Sequence, residues 1–128
     1  MTNPHAGDAL AHLTDTERAC VGRYIALLGD RLGGNLLEVW LFGSAARGDM
    51  WGAHMPMHSD IDLLVLTAAA VTAALQNELI NDTYPIFLEC GRQIAPAFKV
   101  ASEFRAATEE KLQSFQRRVH KEGRRLFP

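Results

Sequence analysis

Apolar residues recur along this chain with two different periods. Val21, Tyr24, Ile25, Leu28 and Leu32 fall at helical spacing and make one apolar face. TDTE at 14–17 precedes that face: a threonine followed three residues later by glutamate is the pattern of a capping box, so Thr14 is read as the start of a helix. Gly33-Gly34 closes it. LLEVWLF (36–42) is short and rich in aliphatic and aromatic residues, and IDLLVL (61–66) resembles it; both read as strands. TAAAVTAALQNELINDTYPIFLECG (67–91) reads as helix with a break near Pro85. RQIAPAFKV (92–100) reads as a short strand in which Pro96 demands an edge or an irregular position. Ser102 is the expected cap of a last helix, with Phe104, Leu112, Phe115 and Val119 on its apolar side and Gly123 as its stop. Residues 1–13 lack such a pattern and read as a mobile arm.

The resulting order is helix, strand, helical turn, strand, helix, strand, helix, which predicts a small α/β domain. The 128 residues fit one domain, 1–128, around one core. No internal repeat or linker interrupts it. Hydrophobic content of 48% and charged content of 22% are ordinary for a folded globular chain. A formal net charge of −2 argues against extended nucleic-acid binding, which uses a basic face to neutralise many phosphates. The basic run QRRVHKEGRR has acids close by in TEEK and reads as a solvated helix end. No apolar run approaches the roughly 18 residues of a membrane span, and the N-terminus lacks the regions of a signal peptide, so a cytoplasmic location without membrane contact is expected. Cys20 and Cys90 have no metal-binding spacing and read as small core thiols.

One stretch is at odds with a plain core. In SDIDLLVL, Asp60 and Asp62 stand one residue apart inside an apolar strand. Alternate residues of a strand share a face, so the two carboxylates project together with Cα atoms about 6.5 Å apart, while Ile61, Leu63 and Val65 enter the core. Two like charges so placed repel unless a cation lies between them. Either the pair is a solvated strand edge, or it holds a divalent ion; all-oxygen donors favour Mg²⁺ or Mn²⁺ over zinc. LFGSAARGD ends the preceding strand. Gly43 allows a sharp turn and close approach to a ligand, and Ser44 with the following N–H groups can donate to phosphate where a helix begins. Arg47 either helps to hold phosphate or ties down the loop through an acid such as Asp49. A phosphate cradle beside a two-carboxylate site suggests a metal-bound nucleoside triphosphate.

LFGSAARGD followed by SDIDLLVL resembles the signature of the nucleotidyltransferase superfamily that includes DNA polymerase beta, and is most similar to the small stand-alone minimal nucleotidyltransferases. SEF and KEGRRLF near the C-terminus resemble the ends of those proteins, so the resemblance spans residues 14–127. It implies a nucleotidyltransferase fold, a small mixed sheet with flanking helices. It implies that Gly43 and Ser44 bind the triphosphate, with Arg47 beside them, and that Asp60 and Asp62 are catalytic and hold two Mg²⁺ ions about 4 Å apart. The implied reaction transfers a nucleoside monophosphate, AMP from ATP, to an acceptor hydroxyl. The resemblance further implies a HEPN-type partner protein, with the nucleotidyltransferase acting as antitoxin of a toxin-antitoxin pair.

The chain departs from that pattern where active members place a third carboxylate. RQIAPAFKV contains no acid, and Ala95 occupies the approximate position; Glu89 and Glu103 are the nearest substitutes. The loop 49–58 is also long. His54 and His58 stand four apart with Pro56 between them, which speaks against a helical pair of metal ligands, and Trp51, Met55 and Met57 could form a partner-facing patch. The loop is either a lid or a plain surface insertion. Two functions therefore compete: a metal-dependent enzyme, and a binding protein that neutralises a partner without turnover. An antibiotic-modifying transferase would need an additional domain.

Overall fold

A computed structural model describes residues 13–43 and 60–128. The first helix, α1 (Asp15–Leu32), begins at the capping box. Thr14 Oγ1 accepts from Glu17 N at 3.1 Å and Glu17 Oε1 accepts from Thr14 N at 2.8 Å, so two backbone donors at the helix start are satisfied reciprocally. Val21, Tyr24 and Leu28 on its apolar side are fully buried. Leu13 is buried too and packs into the same core, so the arm expected over 1–13 does not extend to Leu13; residues 1–12 lie outside the described set.

A short 3₁₀ turn (Gly33–Asn35) leads into β1 (Leu36–Phe42), which pairs antiparallel with β2 (Ile61–Thr67). The helical turn expected after Gly43 falls within 44–59, outside the described residues. The alanine-rich run after β2 is not helical from Thr67, as its composition suggested; α2 (Ala73–Asn81) starts six residues later, with Thr72 Oγ1 accepting from Leu75 N. Asn35 is the cause. Its Oδ1 accepts from Ala69 N at 2.7 Å, its Nδ2 donates to Ala69 O at 3.1 Å, and its carbonyl accepts from Ala68 N at 3.0 Å. These bonds outweigh the helix propensity of the alanines. α3 (Thr83–Cys90) follows a break at Asp82, which places Pro85 in the first turn, where its missing N–H costs no helical bond.

β3 (Ile94–Val100) pairs parallel with β2, and β4 (Arg124–Phe127) pairs antiparallel with β1, giving a mixed sheet of order β3-β2-β1-β4. Pro96 therefore lies on an edge strand. Ile61 N donates to Gln93 O, so the odd-numbered residues of β3 turn their backbone groups toward β2, and Pro96 lacks only an outward N–H. The expected single last helix is two helices, α4 (Ala101–Arg105) and α5 (Glu110–Glu122), and Ser102 lies within α4 and does not cap it. Side chains from α5 hold the interruption: Gln116 Nε2 donates to Phe104 O and Arg105 O, and Gln113 Nε2 donates to Ala107 O. β4 was not foreseen. With two arginines in four residues, RRLF carries no strand pattern of its own.

Helices cover both faces of the sheet. Val39, Leu41, Ile61, Leu63, Val65 and Ile94 meet α1, Leu79 of α2 and Ile86 of α3. On the other face Phe42, Leu64 and Leu66 meet Ala101 and Phe104 of α4 and Val119 of α5. The α/β class and the mixed sheet with flanking helices are as the sequence and its resemblance led one to expect.

Candidate active site

Because β1 and β2 are antiparallel neighbours, the end of one lies beside the start of the other. Phe42 is the register partner of Asp62. Gly43 follows with φ +75°, and a Cβ built there would stand 2.4 Å from Asp62 Oδ2. Glycine is thus required twice at this position, by the backbone and by the carboxylate that rests against it. Ile61 is fully buried in the opposite core, so strand alternation puts exposed Asp60 and half-buried Asp62 on one face. Gly43, Asp60 and Asp62 come together at one end of the sheet. Ser44 and Arg47 lie outside the described residues, as do Trp51, His54, Met55, Met57, His58 and the rest of the loop 49–58.

Two carboxylates on one face, one of them resting against a glycine, fit a hard divalent cation of the Mg²⁺ kind. Such an ion is commonly held by one or two carboxylates and completed by water and substrate phosphates. Among the described residues no group of three His, Cys, Asp or Glu side chains is arranged to hold a metal.

The partner of Asp62 on β3 is Ala95, so a methyl group stands where the resemblance would put a third carboxylate. Neither substitute replaces it. Glu103 follows the far end of β3, which lies about 16 Å along the strand from Ala95, and lines a cavity of about 240 Å³ with Thr67, Gln76 and Lys99. Glu89 pairs with Arg23 of α1 and so belongs to the helical layer behind the opposite face.

The thiols behave as core groups. Cys20 is buried, and burial together with the neighbouring Cys20 thiol pushes Cys90 up to about 11. Spacing in the sequence gave no sign that the two would meet.

One residue beside the site carried no signal. The Arg118 guanidinium stacks over the rings of Phe42 and Phe115, at 5.7 and 5.6 Å from their centroids. The two rings meet edge to face, 5.1 Å apart. Arg118 belongs to the basic run that reads as a solvated helix end. The packing of α5 on Phe42, the register partner of Asp62, sets its place, and α5 is fixed there by contacts distant in sequence.

Residues 27–126 match the nucleotidyltransferase domain family. Among solved structures, the chain is similar to MntA in an MntA–HpeT toxin-antitoxin mutant, with 23% identity, TM-score 0.56, and coverage of 84% of this chain and 71% of that one. It is similar at 22% identity and TM-score 0.54 to a toxin-antitoxin structure with AMP-PNP, covering 82% and 71%. A complex of tri-AMPylated Shewanella oneidensis HEPN toxin with MNT antitoxin gives 20% identity and TM-score 0.55, covering 87% and 71%. At these identities the likeness is one of fold. No curated protein matches the chain. Among the described residues no helix is long and apolar enough to cross a membrane.

Proposed function

We propose that this chain, which belongs to the nucleotidyltransferase domain family, transfers AMP from ATP to a hydroxyl of a HEPN-type partner protein and so acts as the antitoxin of a pair. The acceptor oxygen attacks the α-phosphorus, the new P–O bond forms, and the bond to the β-phosphate breaks with its electron pair leaving on pyrophosphate. Asp60 and Asp62 hold the divalent ion, two Mg²⁺ with the nucleotide bound, and Gly43 with Ser44 and Arg47 receives the triphosphate. Bound Mg²⁺ supplies charge neutralisation on the phosphates and a lower pKa for a coordinated hydroxyl. The chain's own contribution is position: Asp62 is set by its strand partner Phe42 and by contact with Gly43, and Asp60 is carried on the same face.

The observation that carries this reading is the juxtaposition of Gly43 with the Asp62 carboxylate, because a phosphate cradle and a metal-binding acid must be neighbours for one nucleotide to use both. The partner class rests on the similarity to MNT antitoxins seen with HEPN toxins. A second reading, a protein that neutralises its partner by binding alone, draws on Ala95 beside Asp62, which leaves the acceptor hydroxyl without a carboxylate base on β3. In the transferase reading that proton passes to water.

Isothermal titration of ATP with Mg²⁺ tests the reading. Wild type binds, and Asp60→Asn/Asp62→Asn or chelation by EDTA abolishes binding while the fold persists by circular dichroism. Labelled ATP then tests transfer to a co-purified partner. Metal-dependent binding without transfer would favour the neutralising protein, and nucleotide binding indifferent to both aspartates would sink the site.

A further inference from the structure

We infer that Arg118 is a phosphate-binding residue of this site, holding the polyphosphate tail of the nucleotide; the inference rests on the function proposed above. Phe42 joins three facts. It immediately precedes Gly43, it lies directly across from Asp62 with Cα atoms about 5 Å apart, and its ring carries the Arg118 guanidinium. Phe42, Leu64 and Asp62 share the face that α5 covers, so Arg118 overhangs the same end of the sheet as the aspartates.

The nucleotide is what calls for a cation there. Asp60, Asp62 and a triphosphate are all anionic, and a fixed positive group beside the metal ions reduces their mutual repulsion. Arginine suits this role because its planar fork meets phosphate in a bidentate manner and stacks on aromatic rings. Between Phe42 and Phe115, a side chain that would otherwise sample many rotamers is held ready, while more than half of it (57%) stays exposed to a ligand. Its contact with Glu122 is an i,i+4 pair at 4.0 Å, at the outer limit of an ion pair and too long to account for the placement by itself.

Packing alone is the rival explanation, and two variants separate it from phosphate binding. Arg118→Met keeps an apolar stem over the rings and removes the charge; Arg118→Lys keeps the charge and loses the fork. Titrations with Mg·ATP and with AMP, alongside thermal melting, give the readout. Phosphate binding predicts that Arg118→Met weakens ATP about tenfold to a hundredfold, the range of a charge-assisted hydrogen bond. AMP binding changes less than about twofold, Arg118→Lys recovers part of the loss, and the melting temperature stays put. Unchanged ATP affinity in Arg118→Met, with wild-type binding still dependent on Asp60 and Asp62, overturns the inference and leaves the proposed function standing. Equal losses for ATP and AMP also overturn it, since a tail contact must discriminate them. Absence of ATP binding by wild type removes both.

Discussion

A methyl group at position 43 would enter the volume that the Asp62 carboxylate holds, on a backbone with φ +75°. Gly43→Ala is therefore expected to displace Asp62 or flip the turn. It should cost about 1–3 kcal/mol of stability and abolish Mg·ATP binding, measured by denaturant melts and titration on the same preparation. Retained binding would mean that the contact between Gly43 and Asp62 is incidental. The aspartates and the glycine were legible because their chemistry is local: a strand alternates, and a glycine turn follows. Arg118 was not, because nothing within ten residues says which face of the sheet α5 will cover. Ala95 is intermediate. The sequence locates an acid-free strand, but only the parallel register with β2 sets Ala95 against Asp62.

Among the elements, α1 was legible because its start signal lies within its own first turn. Thr14→Ala removes one half of the capping box and is expected to lower stability by about 1 kcal/mol, read as a shifted denaturation midpoint with an unchanged slope. A shift no larger than that of an exposed control substitution would count against the cap. The start of α2 and the gap between α4 and α5 are set otherwise. Asn35 restrains Ala68 and Ala69 from 33 and 34 residues away, and Gln116 satisfies the carbonyls of Phe104 and Arg105. No local propensity registers such bonds. β4 gains its place only from the partner strand beside it.

Across the whole molecule, the start of α1 is tied to the segment entering β3 by a buried ion pair. Arg92 Nη1 donates to Glu17 Oε2 at 3.3 Å, and both residues are buried. Burial raises the Glu17 carboxyl, but the hydrogen bonds from Thr14 and the Arg92 charge more than offset this, and its pKa lies below the ordinary 4.5. A depressed acid stabilises the fold above its unfolded value and loses that contribution as pH falls through the folded one. Wild-type stability should accordingly decline below about pH 4.5. Glu17→Gln should be less stable by about 1–3 kcal/mol at neutral pH and flatter through the acid range, as followed by thermal melts against pH. Parallel profiles for the two proteins would exclude Glu17 from the acid response.

The two borders of the sheet have a consequence for how the molecule meets other chains. On one side β3 carries Pro96, which breaks the outward row of donors; on the other, β4 is four residues long and begins with two exposed arginines. An added strand would find a missing hydrogen bond on the first border and concentrated positive charge on the second, features that discourage edge-to-edge aggregation. Fibril-like stacking of copies through these borders is thereby disfavoured, and among the described residues β-augmentation by a foreign peptide finds no long, uninterrupted template. Among the described residues, the surfaces left for a protein partner are the helix faces and the end of the sheet where the aspartates lie.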